Sequence, residues 1–200
     1  MAKRSSSSME VLLGLLTVAP MSGYDLGQAI RGSVGFFWNE SYGQIYPNLK
    51  KLAAEGFATS KAERQKGKPV RYVYSITKKG RERLAAWLEI KPQPEIARNE
   101  LLLKLFFGAQ VAPAISIEHV KRMVESERVF LDEFRRIERE EIAERQQYPD
   151  APYWKMAARF GQLELEAHLR WGEETLAELR KIAKKQQRPA KSQKEKSHAG

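Results

Sequence analysis

Residues 9–19 place Val11, Leu12, Leu15, Leu16 and Ala19 at the three- and four-residue steps of a helix. The wide apolar stripe predicts a buried first helix, which Pro20 ends. Ser22-Gly23-Tyr24-Asp25 fits the capping pattern Ser-x-x-Asp, so a second helix starts after Ser22. Leu26, Ala29, Ile30 and Val34 form its inner face, and Gly32 and Gly35 loosen its end. Phe36, Phe37 and Trp38 make a short connection, expected to pack beneath the start of the third helix.

That third helix is SYGQIYPNLKKLAAEGF, residues 41–57. At ~100° per residue, Ile45, Leu49 and Leu52 share one side, with Tyr42 and Ala53 at its margin. Gly43, Pro47, Lys50 and Ala54 lie opposite, flanked by Gln44, Asn48 and Lys51. One face can dock on a core. The other is amide-bearing, basic and slim along its middle, so the backbone can come close to a partner. Gln, Asn and Lys are side chains that read base edges and phosphates in a major groove. An ordinary Lys-rich surface helix would show the same spacing. Ser41 and Gln44 form a candidate capping box, and Gly56 is a C-terminal stop. Pro47 lacks the N–H that would bond the carbonyl of Gly43, so the helix either bends there or becomes regular later.

From Phe57 the period changes to two. Residues 57–63 and 70–77 read as strands around a basic, turn-rich tip, with Tyr72, Tyr74 and Ile76 on one face. Lys66, Lys68 and Arg71 sit at or near that tip; lysines that merely solvate a hairpin are the plainer reading. Thr77 caps a fourth helix through Leu84, Ala85 and Leu88, with Trp87 nearby. Three helices, a basic hairpin and a closing helix, in that order, describe a winged helix-turn-helix.

The second half reads differently. Residues 91–94, Lys-Pro-Gln-Pro, form a stiff connector. Residues 96–108 are apolar and helical, broken by Ala112 and Pro113. Ser116 is expected to start a long helix to about residue 147, ~45 Å at 1.5 Å per residue. Ile117, Val120, Val124, Leu131, Phe134 and Ile137 make its stripe, widened by Met123 and Phe130. After a turn at residues 148–152, a last helix over residues 153–183 carries the apolar series from Trp154 to Ile182. Two long helices joined by a turn form an antiparallel hairpin. Each stripe is broader than one partner covers, so a second copy is the simplest burial.

Charge sharpens this division. The net charge is +10, and residues 1–90 hold 14 Lys+Arg against 7 Asp+Glu. Residues 91–182 hold 15 against 17, and residues 183–200 hold 6 against 1. Basic charge therefore sits where a polyanion would be met. No cysteine is present, so disulfides and Cys-ligated metals are excluded. The apolar run at residues 11–19 follows Lys3 and Arg4 as in a weak signal peptide, but four serines and Glu10 intervene. It is also far too short to span a bilayer. A core helix in a cytoplasmic protein is the expectation.

The string GLLTVAPMSGYDL at residues 14–26 resembles the PadR family of bacterial transcriptional regulators, as do residues 36–57 and GKPVRYVYSITKKGRERLAAWL at residues 67–88. IYPNLKKL and RYVYSIT-KKG are the specific pieces, and the likeness runs over residues 11–88. The tip departs from it, holding Lys-Gly-Lys-Pro where members often carry a Gly-rich turn.

The resemblance implies a mainly α fold with a small β-hairpin, in which a winged helix-turn-helix precedes an antiparallel long-helix dimerisation domain. It also implies repression of nearby genes by a dimer on a palindromic operator. Carried onto this sequence, base reading falls on Ser41, Tyr42, Gln44 and Asn48, and hydroxyl contacts with phosphate on Tyr24 and Tyr46. Charge contacts with the backbone fall on Lys50, Lys51, Lys66, Lys68 and Arg71. A packed Tyr46 is an equal alternative. Some such regulators sense aromatic compounds, and Tyr153, Trp154, Phe160, His168 and Trp171 could line an effector pocket; core and dimer packing is the plainer role.

Expected boundaries are a disordered lead at residues 1–8, a DNA-binding domain at 9–90, a dimerisation domain at 91–183 and a basic disordered tail at 184–200. No cofactor is called for. Glu138, Glu140, Glu141 and Glu144 alternate with Arg135, Arg136, Arg139 and Arg145, a solvated surface rather than a catalytic pair. His119, His168 and His198 lack metal-ligand spacing, and no phosphate loop or nucleophile elbow occurs. The partners implied are duplex DNA, a second copy of the chain and a small aromatic effector, with no membrane. A DNA-holding architectural protein without an effector is the other class.

Overall fold

The computed structural model describes residues 7–38, 42–64, 70–94, 98–142 and 145–187. The chain divides into two compact units, Met1–Pro94 and Glu95–Gly200.

In the first unit, α1 (Ser8–Val18), α2 (Gly23–Arg31) and α3 (Tyr42–Ala54) precede β2 (Ala58–Glu63), β3 (Arg71–Ile76) and α4 (Lys78–Leu88). A two-residue strand, β1 (Met21–Ser22), was not expected. It pairs antiparallel with β3, Met21 opposite Tyr74 and Ser22 opposite Val73, giving a three-stranded sheet of order β1-β3-β2. Two residues are too few to carry a period. The core joins Leu12, Leu13 and Leu16 of α1 to Leu26 and Ile30 of α2, Ile45, Leu49 and Leu52 of α3, and Ala58 and Tyr74 of the sheet.

Local signals explain the element ends. Ser22 Oγ accepts from Asp25 N while the Asp25 carboxylate accepts from Ser22 N, a reciprocal capping box. Thr77 Oγ1 accepts from Gly80 N and starts α4. Gly56 takes a φ of 77°, with Phe57 N donating to Leu52 O and Gly56 N to Ala53 O. That paired pattern closes α3 as a Schellman motif, for which glycine is the natural residue.

Several expectations are corrected. Ser8, assigned to the disordered lead, is helical and buried. The third helix is assigned from Tyr42 straight through Pro47, so its regular part does not start late. Phe37 is exposed, because a 3₁₀ turn over Val34–Phe36 turns it outward while Val34 packs on the core.

The second unit holds α5 (Glu100–Phe106), α6 (Pro113–Ile137), a π-helical turn (Glu138–Ile142) and α7 (Ala151–Gln187). Asn99 caps α5, accepting from Leu102 N, and Ile96 lies outside the described residues. The apolar helix stops before Ala112 and Pro113 as expected, but Pro113 itself starts α6, because the first helical position needs no intrahelical N–H. Ser116 is thus inside the helix and buried. The α-helix ends at Ile137, short of residue 147, where the π turn takes over. α7 begins at Ala151 and runs to Gln187, into the stretch assigned to the tail.

Cross-helix pairs show that α6 and α7 run antiparallel. Arg128 meets Glu173 at 2.9 Å, Arg135 meets Glu166 at 3.4 Å, and Gln162 Nε2 donates to Glu138 at 2.6 Å. The helices are close: a Cβ on Gly172 would stand 2.5 Å from Val124, and one on Gly161 would stand 2.7 Å from the Phe134 ring. Val120, Val124 and Leu176 form the buried centre. Phe130, expected on the stripe, is exposed. Arg136 lies between Glu133 and Glu140, so part of the Arg/Glu-rich stretch is ion-paired surface. Among the described residues no helix is long and apolar enough to cross a membrane.

Candidate nucleic-acid interface

Burial of Ile45, Leu49 and Leu52 fixes which face of α3 points outward. That face carries Gly43, Gln44, Tyr46, Pro47, Lys50, Lys51 and Ala54, all exposed, with Asn48 half-buried beside them. Gln44, Pro47, Asn48 and Lys51 fall at steps of three, four and seven, so they form one strip. Lys51 lies 3.9 Å from Glu55, a loose contact between exposed groups that leaves the ammonium available.

α2 is held tightly against this helix. A Cβ on Gly23 would stand 2.5 Å from Cε1 of Tyr46, so only glycine lets the Tyr46 ring lie there. Tyr46 is nonetheless 52% exposed. Its ring thus packs beside Gly23 of α2 while remaining half exposed. Tyr24, the next residue, is 60% exposed. Its hydroxyl accepts from Gln28 Nε2 at 2.7 Å, and Arg31 Nη2 donates to Gln28 Oε1. Gln28 and Arg31 were not among the expected site residues. Their spacing of four and seven from Tyr24 was the available signal.

Burial holds the phenol of Tyr74 protonated above its usual range, reinforced by Tyr72 and Tyr46 nearby. It is the packed member of that group. On the hairpin, Lys61 and Arg64 are exposed cations beyond those anticipated. Arg71, expected to meet a phosphate, is engaged by carboxylates: Nε and Nη2 donate to Glu63 at 3.0 and 2.9 Å, and Nη1 lies 3.9 Å from Asp25. Hydrogen bonds from the Ser22 side chain and backbone, with Arg71 adding charge, hold the Asp25 carboxyl below its usual range. Ser41, Lys66 and Lys68 lie outside the described residues, and of Tyr42 only the backbone is described.

The five aromatic candidates of the second unit do not converge within one chain. Tyr153 and Trp171 are eighteen positions apart on α7, ~27 Å at helical rise. Tyr153 and Phe160 are 68% and 65% exposed. Trp154 packs against the Tyr148 ring at 5.9 Å, and His168 Nδ1 lies 3.0 Å from Glu127.

Residues 12–86 match the model of the transcriptional regulator PadR-like family, and residues 97–180 match the model "Virulence activator alpha C-term". The negative transcriptional regulator PadR of Bacillus subtilis is 39% identical over 97 residues, covering 48% of this chain and 53% of that one. The chain thus spans about half the length of this curated relative. Over residues 12–86 the chain is similar to the PadR-like transcriptional regulators. The solved structure of Bacillus subtilis PadR in complex with operator DNA superposes with a TM-score of 0.73 at 26% identity, covering 86% of this chain and 98% of that one. The same Bacillus protein in complex with p-coumaric acid gives 0.66 at 25% identity, over 90% and 99%. The Vibrio cholerae virulence activator AphA gives 0.67 at 26% identity, over 88% and 100%. The likeness thus runs through both units. The PadR-like fold identifies α3 as the third helix of a winged helix-turn-helix and β2–β3 as its wing.

Proposed function

We propose that this PadR-like chain is a sequence-specific repressor that binds a palindromic operator as a homodimer and is released by a small aromatic effector. The observation that carries it is the α3 strip: amide and basic groups outward, slim residues among them, and a fully buried back. Ser41, Tyr42, Gln44 and Asn48 read bases in this proposal. Tyr24, Tyr46, Lys50, Lys51, Lys66 and Lys68 meet phosphates.

Dimerisation is supported by the apolar side chains that the second unit leaves exposed, Leu102, Leu103, Phe106, Phe107, Val129 and Phe160 among them. Two-fold symmetry in the protein suits a palindromic site. Repression follows the curated Bacillus relative, a negative regulator. An aromatic effector follows the Bacillus structure with p-coumaric acid. Its pocket would need groups from more than one copy, since the five candidates on one α7 lie apart. The site of action is the cytoplasm, on chromosomal DNA.

Binding to duplex DNA over a salt series tests this. Each phosphate neutralised adds about −0.9 to the slope of log affinity against log salt, so several contacts per half-site give a steep slope. Sedimentation at micromolar concentration should show a dimer. A salt-insensitive affinity, or a monomer, overturns the proposal.

A further inference from the structure

We propose that Arg71 is a positioning residue that clamps the wing onto the start of α2, and not a phosphate contact. The proposal rests on the DNA-binding reading above and concerns how that site holds its shape.

Glu63 and Arg71 face each other as the pair of the β2–β3 ladder nearest the hairpin tip. Arg71 gives two of its donors, Nε and Nη2, to the same oxygen, Glu63 Oε2. Its third group, Nη1, faces Asp25 Oδ2. That oxygen already accepts from Ser22 N at 3.0 Å and Ser22 Oγ at 2.8 Å, the bonds that define the start of α2. Arg71 therefore joins the outer end of the wing to the capping box of α2. Among the described residues the only ladder between these parts, β1 with β3, has two residue pairs, Met21 with Tyr74 and Ser22 with Val73. So short a ladder fixes the wing's angle poorly, and the guanidinium supplies a second attachment nearer the tip.

Charge points the same way. One cation between two carboxylates leaves the cluster net negative, so a phosphate approaching it would meet repulsion. The three side chains are 41–46% exposed, and ion pairs so placed contribute little to stability. Their fixed fork geometry can still set an angle, because guanidinium donors are rigid and directional. Sequence reading gave Arg71 to DNA because it saw a cation beside a basic tip and not the acids across the strand.

The experiment uses full-length protein and a duplex that the wild-type protein selects from a random pool. Affinity is measured over a salt series for wild type, Glu63→Gln, Arg71→Gln, Arg71→Lys and the double variant Glu63→Gln/Arg71→Gln. A positioning role predicts that Glu63→Gln weakens binding roughly 3- to 10-fold although it removes a negative charge, consistent with coupled contacts. Arg71→Gln and Arg71→Lys should weaken it similarly, because lysine keeps the charge but not the fork. The double variant should be no worse than either single, and all salt slopes should match wild type. Unchanged thermal midpoints separate this from a role in stability alone, which would move the midpoint instead of the coupling. A tighter Glu63→Gln, a wild-type-like Arg71→Lys, or a slope lowered by about 0.9 in Arg71→Gln would overturn the proposal. Failure of the wild-type protein to select or hold any duplex would overturn the DNA-binding reading itself, and this inference with it.

Discussion

Gly80 is the third residue of α4, where that helix meets the turn closing α3. A Cβ there would stand 2.1 Å from the backbone oxygen of Phe57 and 2.9 Å from Cγ1 of Ile76. Non-bonded carbon atoms rest ~3.5–4.0 Å apart, so Gly80→Ala demands a shift of roughly 1 Å or more. The obstacle cannot rotate away. Phe57 O accepts from Thr77 N at 3.0 Å, Thr77 Oγ1 donates to Gly56 O at 2.8 Å, and Lys79 Nζ donates to Glu55 O at 2.8 Å. Moving α4 outward strains all three.

Overpacking usually costs ~1–3 kcal/mol, and a backbone obstacle puts this site at the upper end. Alanine's better helix propensity returns at most ~1 kcal/mol, leaving a net loss of about 2 kcal/mol. At ~4–8 °C per kcal/mol for a domain of 60–100 residues, the midpoint of the first unit should fall by roughly 8–16 °C. The control is Gly14→Ala in α1, where a Cβ meets nothing within 4 Å, and a gain of up to ~1 kcal/mol is expected. Thermal unfolding followed by circular dichroism reads both. A Gly80→Ala protein as stable as wild type, or indistinguishable from Gly14→Ala, refutes the α3–α4 packing described above.

Two further predictions concern the first unit. Arg83 Nε and Nη2 donate to the buried Glu10 at 3.1 and 2.7 Å, so Arg83→Ala should cost about 3–5 kcal/mol by stranding a carboxylate. Replacing both together, Glu10→Leu/Arg83→Met, should recover most of that loss in denaturant unfolding. The lowered folded-state pKa of Asp25 means that its capping contribution is present above its ordinary value of 3.8 and lost as pH falls through the folded value. The stability gap between wild type and Asp25→Ala should therefore be widest near neutrality and close below about pH 4.

What the sequence disclosed was what local chemistry decides. Ser22 and Thr77 started helices and Gly56 ended one as read, because caps and left-handed turns act within a few residues. The buried face of α3 was legible for the same reason: Ile45, Leu49 and Leu52 sit on one helical side whatever they pack against. The carboxylate partners of Arg71 were not legible, because Glu63 and Asp25 are eight and forty-six positions away and meet it only in the folded chain. β1 escaped because its two residues also serve as turn and cap. The start of α6 was put at Ser116 and not at Pro113 because a proline that separates two helices can also open the second. The aromatics of α7 share a helical period, but a period says nothing about whether they close on one ligand.

The central claim is that the outward strip of α3 reads bases, and Gln44 is its most exposed amide test. Binding of wild type and Gln44→Ala to the selected duplex and to random DNA of equal length measures it directly. An amide that reads a base edge gives ~1–3 kcal/mol of discrimination. The account predicts that Gln44→Ala loses about that much preference for the selected duplex, while affinity for random DNA and the salt slope stay as in wild type. Equal loss on both duplexes, or no loss on either, would contradict it.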